Sequence, residues 1–129
     1  MKIDVTLNEG QELEASFNNF KIKADASLSN GGKELSPEPA DYFFVSLALC
    51  GAFYARSFCD TRGINTEGLK ITQNNISSAE NKYQKNISLK INLPKDFPDK
   101  YKKGIMAAVK SCTVKKIIES HPNFSIEII

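Results

Sequence analysis

Apolar residues recur with a period of two through the first third of the chain. Ile3, Val5 and Leu7 alternate with polar neighbours, as do Leu13, Ala15 and Phe17, and then Phe20, Ile22 and Ala24. Alternation places every second side chain on one face of a pleated strand. Asn8-Glu9-Gly10 and Asn18-Asn19 fall between the runs and carry turn chemistry. The pattern predicts an antiparallel meander of three short strands. A loop rich in Ser, Asn, Gly and Pro follows, from Ser27 to Pro39.

The period then changes. Pro39 suits a first helical turn, Asp41 complements the positive end of the dipole, and Gly63 is a natural stop just after Arg62. A helix from Pro39 to about Thr61 is expected. It is apolar nearly all round from Tyr42 to Ala55, which predicts burial on most sides. That apolar stretch is too short for a bilayer span and reads as a core helix. A single chain of this size has difficulty covering such a helix, which favours association of copies. Two long strands, Leu69–Ile76 and Tyr83–Leu93, form a hairpin with one solvated face. Asp99 is the expected N-cap of a helix through about Ser111. Ser111-Cys112-Thr113 restarts it, and His121-Pro122 ends it. Phe124, Ile126 and Ile128 alternate as a last strand. The order βββ-α-ββ-α(α)-β is an α+β pattern.

Length and composition narrow the function. The chain has 129 residues, the size of one domain spanning residues 1–129. Lys+Arg number 17 against 15 Asp+Glu, a net charge of +2. Arg56 and Arg62 are the only arginines and the lysines are scattered, so there is no focused field for nucleic acid and no polybasic membrane segment. The N-terminus carries no apolar signal region. Three cysteines, at 50, 59 and 112, are an odd count without a dense pattern. A disulfide-stapled secreted scaffold is therefore disfavoured, and with one His a zinc cluster is poorly supported. The expectation is a reduced, cytoplasmic chain whose cysteines are core filler or chemistry.

Each thiol has two readings. Cys50 lies mid-helix in an apolar setting, where a thiolate is disfavoured. Cys112 sits at a helix start, where unpaired N–H groups and Lys110, Lys115 and Lys116 favour a thiolate. The bland alternative for both is packing. Cys59 falls half a turn round the helix from Cys50 and reads as packing. Arg56 lies about 240° round from Cys50 and reads as a surface residue. His121, beside a helix end, reads as a cap before it reads as a base.

Pro39-Ala40-Asp41-Tyr42-Phe43-Phe44-Val45-Ser46-Leu47-Ala48-Leu49-Cys50 resembles the first-cysteine helix of the OsmC/Ohr family, in which a Cys stands eleven positions past a Pro. Arg62-Gly63-Ile64 resembles the family's helix exit. Ser111-Cys112-Thr113-Val114 resembles its Cys-Pro-Val motif, 62 positions after the first Cys. The resemblance implies an α+β, OsmC-like fold, with antiparallel sheets wrapped around a long central helix in an intertwined homodimer. It implies a thiol peroxidase for organic hydroperoxides, with Cys50 as peroxidatic nucleophile and Cys112 as resolving thiol. A small dithiol would be the reductant, and neither metal nor other cofactor is implied. Ala40 stands where the family's peroxidases carry Glu, the N-terminal region has no Arg, and Thr113 replaces Pro. Lys21, Lys23 and Lys33 are the cations available there, and Lys lacks the guanidinium fork. Without that activating pair, Cys50 is expected to keep a thiol pKa near or above its free value. A redox-sensing or non-catalytic binder of an apolar small molecule is the alternative, and other thiol chemistry, such as persulfide or disulfide exchange, is a third reading.

Overall fold

A computed structural model describes all residues 1–129. The meander forms as β1 (Asp4–Leu7), β2 (Leu13–Phe17) and β3 (Phe20–Ala24), a three-stranded antiparallel sheet in chain order. Phe17 pairs with Phe20, so Asn18-Asn19 is a two-residue hairpin turn. Asn18 takes φ 49°, the left-handed conformation that such turns require and Asn tolerates. The loop that follows is pinned by Asp25, a buried carboxylate absent from the sequence reading. It accepts hydrogen bonds from the N–H groups of Ala26 (2.8 Å), Lys33 (3.1 Å) and Leu35 (3.2 Å). Those donors hold its carboxyl below the usual range, against the cost of burial.

Helix α1 spans Pro39–Asp60. Its start is a reciprocal cap in part: the Asp41 carboxylate accepts the Glu38 N–H at 3.0 Å, with Pro39 at the first helical position. Its end is a Schellman turn: Ile64 N–H donates to Cys59 O at 3.0 Å and Gly63 N–H to Asp60 O at 3.3 Å. Gly63 holds φ 63°, which glycine adopts at no steric cost. Arg62 lies over the Phe58 ring at 3.8 Å and donates to Phe58 O at 3.0 Å, so its charge serves the helix end.

The chain divides into two compact units, Met1–Val45 and Ser46–Ile129. In the second, β4 (Lys70–Ser77) and β5 (Lys85–Asn92) pair antiparallel, Ile71 opposite Ile91 and Gln73 opposite Leu89. A 3-10 turn at Asp99–Tyr101 leads into α2 (Lys102–Lys110), and α3 covers Thr113–Glu119. The core gathers Ala55, Cys59, Phe97, Ile105 and Val109, with Phe58, Leu89 and Ile91 packed against it. Along α1 the buried positions are Leu47, Gly51, Ala55 and Cys59, a spacing of four that makes one stripe. Gly51 leaves little room for a side chain. A Cβ there would stand 3.0 Å from Leu89 Cδ2 and 3.4 Å from Val109 Cγ1.

Three expectations need correction. Burial of α1 on most sides does not occur within one chain: Phe43, Val45, Leu49 and Phe53 are exposed, Phe53 by 68%. The helix runs past its apolar stretch as expected; at 22 residues it has the length and hydropathy of a bilayer span, and its buried stripe packs as the expected core helix does. Asp99 does not cap α2. It opens the 3-10 turn and pairs with Lys102 at 2.6 Å. Residues 121–129 form no strand, and Phe124, Ile126 and Ile128 are 90–101% exposed. The alternation is present, but no edge of the same chain pairs with it, and a strand exists only as a partner of another.

Replacing Gly51 by Leu is expected to lower stability by about 1–3 kcal/mol through overpacking against Leu89 and Val109. Urea unfolding measures it, and an unmoved midpoint would show that α1 does not press this closely on β5 and α2.

Candidate functional site

Two of the three thiols meet. Cys50, half-buried at the middle of α1, and Cys112, 4% exposed before α3, lie close enough that each thiol shifts the other's titration. Sequence spacing places neither near the other. Cys50 stands one residue before Gly51, where α1 packs against Leu89 of β5 and Val109 of α2. Cys112 arrives because α2 ends at Lys110 and the chain turns at Ser111 before α3 begins.

Cys112 is the N-cap of α3. Its sulfur accepts the Lys115 N–H at 3.4 Å. The next two N–H groups, of Thr113 and Val114, lie where they favour the thiolate of Cys50, and that of Val114 favours Cys112 as well. Unpaired donors of a helical first turn therefore serve both thiols.

The electrostatics separate the pair. Burial pushes the Cys50 thiol up. The Cys112 thiol and the backbone donors of Val114 and Thr113 outweigh burial and carry it below the ordinary thiol value. This corrects the expectation of a thiol pKa near or above the free value. The donors come from a helix start instead of an Arg/Glu pair. Cys112 moves the other way, raised by burial first and then by the hydrogen bond to Cys50. The pair titrates together, with the thiolate favoured at Cys50 over Cys112. Cys59 is fully buried in the core and raised by that burial.

Lys21, Lys23 and His121 take structural positions. Lys21 pairs with Glu14 at 2.7 Å, and Lys23 with Glu12 at 3.1 Å, across β2 and β3 and the turn before β2. His121 follows α3 at φ 51° and donates its N–H to Ile118 O at 3.1 Å, as a helix-ending residue does. No three of the Cys, His, Asp and Glu side chains converge as metal ligands.

Two features were not read from the sequence. The first is a mostly apolar cavity of about 330 Å³ lined by Leu47, Ile87, Leu89, Ile91, Met106 and Val109, together with Cys112, Lys110 and Lys115. A larger open depression, about 630 Å³, runs along Ala26–Asp41 and contains no thiol. The cavity beside Cys112 is the one that bears on thiol chemistry. The second is a hydrogen bond between the hydroxyls of Tyr54 and Thr113 at 2.7 Å. Its one sequence signal is that Tyr54 stands four positions past Cys50, on the same side of α1.

Comparison with known proteins gives the relationship. The family model described as OsmC-like protein matches residues 30–127. Among solved structures, an osmotic stress induced and detoxification response protein from Psychrobacter arcticus superposes with a TM-score of 0.72 at 22% identity, over 90% of this chain and 86% of that one. An OsmC like protein from Mycoplasma pneumoniae gives 0.67 at 20% identity, over 93% and 87%. A protein from Legionella pneumophila described as organic hydroperoxide resistance protein OsmC gives 0.60 at 15% identity, over 92% and 89%. No curated protein matches the chain in sequence. The α+β, OsmC-like fold expected from the sequence is the fold observed.

Cys50 is expected to reach half its maximal rate of alkylation by iodoacetamide at a pH below that of an ordinary thiol. A lowered pKa leaves thiolate present at lower pH, so the profile shifts toward acid. Cys59, enclosed, reacts only on unfolding. Mass spectrometry of the individual cysteine peptides separates the two, and a Cys50 profile at or above the ordinary value would remove the activated thiol.

Proposed function

Because the chain belongs to the OsmC-like protein family, we propose that it is a thiol peroxidase for organic hydroperoxides, a finer statement than the family's redox and stress association. The observation that carries the reading is the contact of Cys50 with Cys112 and with the N–H groups of Thr113 and Val114. Hydroperoxide reduction that ends in an internal disulfide uses a thiol eased toward thiolate next to a second thiol, and that contact supports both.

In this reaction the Cys50 thiolate attacks the terminal oxygen of the hydroperoxide. The O–O bond breaks, an S–O bond forms, and the leaving alkoxide takes a proton to become the alcohol. Cys50 is then a sulfenic acid. The Cys112 sulfur attacks it, the S–O bond breaks, water leaves and a Cys50–Cys112 disulfide remains. A small dithiol restores both thiols by exchange. Depression of Cys50 below the ordinary thiol value serves the attack. The raised pKa of Cys112 keeps it protonated during that step. The apolar cavity beside Cys112 suits an organic peroxide better than hydrogen peroxide.

We further read the chain as one domain over residues 1–129, acting in the cytoplasm as an intertwined homodimer. The exposed apolar face of α1 and the unpaired alternation of Phe124, Ile126 and Ile128 support the association. The alternative is a binding or sensing protein for an apolar small molecule. It is favoured by the ion pairs of Lys21 and Lys23, whose amines are engaged with Glu14 and Glu12 instead of standing free as a substitute for Arg.

Turnover of cumene hydroperoxide with dihydrolipoamide is expected for the wild type and absent for Cys50→Ser. Cys112→Ser should allow one oxidation and then stall as a sulfenic acid, trapped by dimedone. Replacing Cys59 by Ser should leave turnover of the folded fraction unchanged. No turnover by the wild type, in a preparation of dimeric mass, would favour binding or sensing. A monomeric mass in solution would remove the homodimer.

A further inference from the structure

Four positions past Cys50, Tyr54 lies one turn along α1 and about 40° round from it. Its hydroxyl meets Thr113 Oγ1 at 2.7 Å, the ordinary length of a hydroxyl–hydroxyl bond. Tyr54 is half-buried, and its ring edge packs against Phe53, 5.8 Å between centroids. Thr113 is therefore held at two points. Its side chain meets Tyr54, and its backbone N–H favours the thiolate of Cys50. The two points of α1 are one turn apart.

α3 needs such a hold. It has seven residues and none of them is buried. Apolar packing therefore gives its first turn little purchase. The Cys112 sulfur caps the turn through Lys115 N–H but lies within the same segment, so that bond orders the turn without fixing it to α1. Donation to a sulfur weakens quickly with distance and misalignment.

We propose that Tyr54 is a positioning residue for Cys50: its hydroxyl, bonded to Thr113, fixes the Cys112–Val114 segment against α1 so that the donors of that segment meet the Cys50 sulfur. The proposal rests on the reading of Cys50 as the reactive thiol. Tyr54 does not touch the oxidant and moves no proton in the reaction. It acts through Thr113.

The test is the pH profile of Cys50 alkylation by iodoacetamide in the full chain, read peptide by peptide, for wild type, Tyr54→Phe, Thr113→Val, Thr113→Ser and the Tyr54→Phe/Thr113→Val pair. Tyr54→Phe is expected to move the profile toward alkali and to slow alkylation at neutral pH about fivefold, the worth of one net hydrogen bond. Thr113→Val should do the same. The double variant should lose no more than either single one, because both remove the same bond. Thr113→Ser keeps the hydroxyl and should keep the wild-type profile. A Tyr54→Phe profile that superposes on the wild type overturns the proposal, whether or not the unfolding temperature falls. Independent, additive losses overturn it as well. If Tyr54→Phe does not fold, the two Thr113 variants decide: a shift for Val and none for Ser upholds the proposal, and no shift for Val overturns it. Alkylation uses no hydroperoxide, so the two readings fail separately. Shifted profiles in a chain that reduces no hydroperoxide uphold the positioning role and remove the peroxidase.

Discussion

The close approach at Gly51 is the constraint on which the second unit depends. A helix that buries only Leu47, Gly51, Ala55 and Cys59 has a narrow contact, and a narrow contact must be tight to hold. The missing side chain lets the backbone of α1 come down on Leu89 and Val109. Val109 is the penultimate residue of α2, three positions before Cys112. Seating α1 there sets the distance from Cys50, one residue earlier, to the turn that presents Cys112. Packing and chemistry are thus fixed by the same few atoms. A second close approach works alongside it: a Cβ at Gly104 would stand 2.6 Å from the Phe58 ring, which ties α2 to the far end of α1.

The site also replaces one kind of electrostatics with another. A guanidinium would stabilise a thiolate by a full charge held across space. Here the work falls to a neighbouring thiol and two backbone N–H groups. Backbone donors are neutral and need no counter-ion, but they act at short range and lose their effect when the segment moves. Such a site is sensitive to the order of its loop. Thr at position 113 also matters for a reason independent of helix propensity. Proline fits a first helical position, yet it has no N–H to give.

Local signals were legible and long-range ones were not. The meander could be read because alternation and the Asn18-Asn19 turn are each decided within a few residues. The bounds of α1 could be read from Pro39 and Gly63 for the same reason. Asp25 carries no local signal, because its donors lie up to ten residues away on a loop without periodicity. The strand expected at Phe124–Ile128 carries the right alternation, but alternation specifies a face and says nothing of a partner edge. At the site, Cys50 and Cys112 were named through motif resemblance, whereas spacing alone left packing and chemistry open for both. That Thr113 and Val114 would favour the thiolate of Cys50 depends on where the chain turns at Ser111, which no short window encodes.

The separation of the two touching cysteines carries a thermodynamic consequence. Cys112 follows Cys50 by 62 positions along the chain, although the two thiols act on each other directly. A covalent link at that point would close a long loop in the unfolded ensemble and remove much of its freedom. On a chain-entropy account the oxidised form would gain about 4 kcal/mol over the reduced one. By the same cycle, folding makes the link harder to reduce than it is in the unfolded chain. Heat resistance and reducing power are then two faces of one coupling, and the chain's melting behaviour becomes a gauge of its oxidation state.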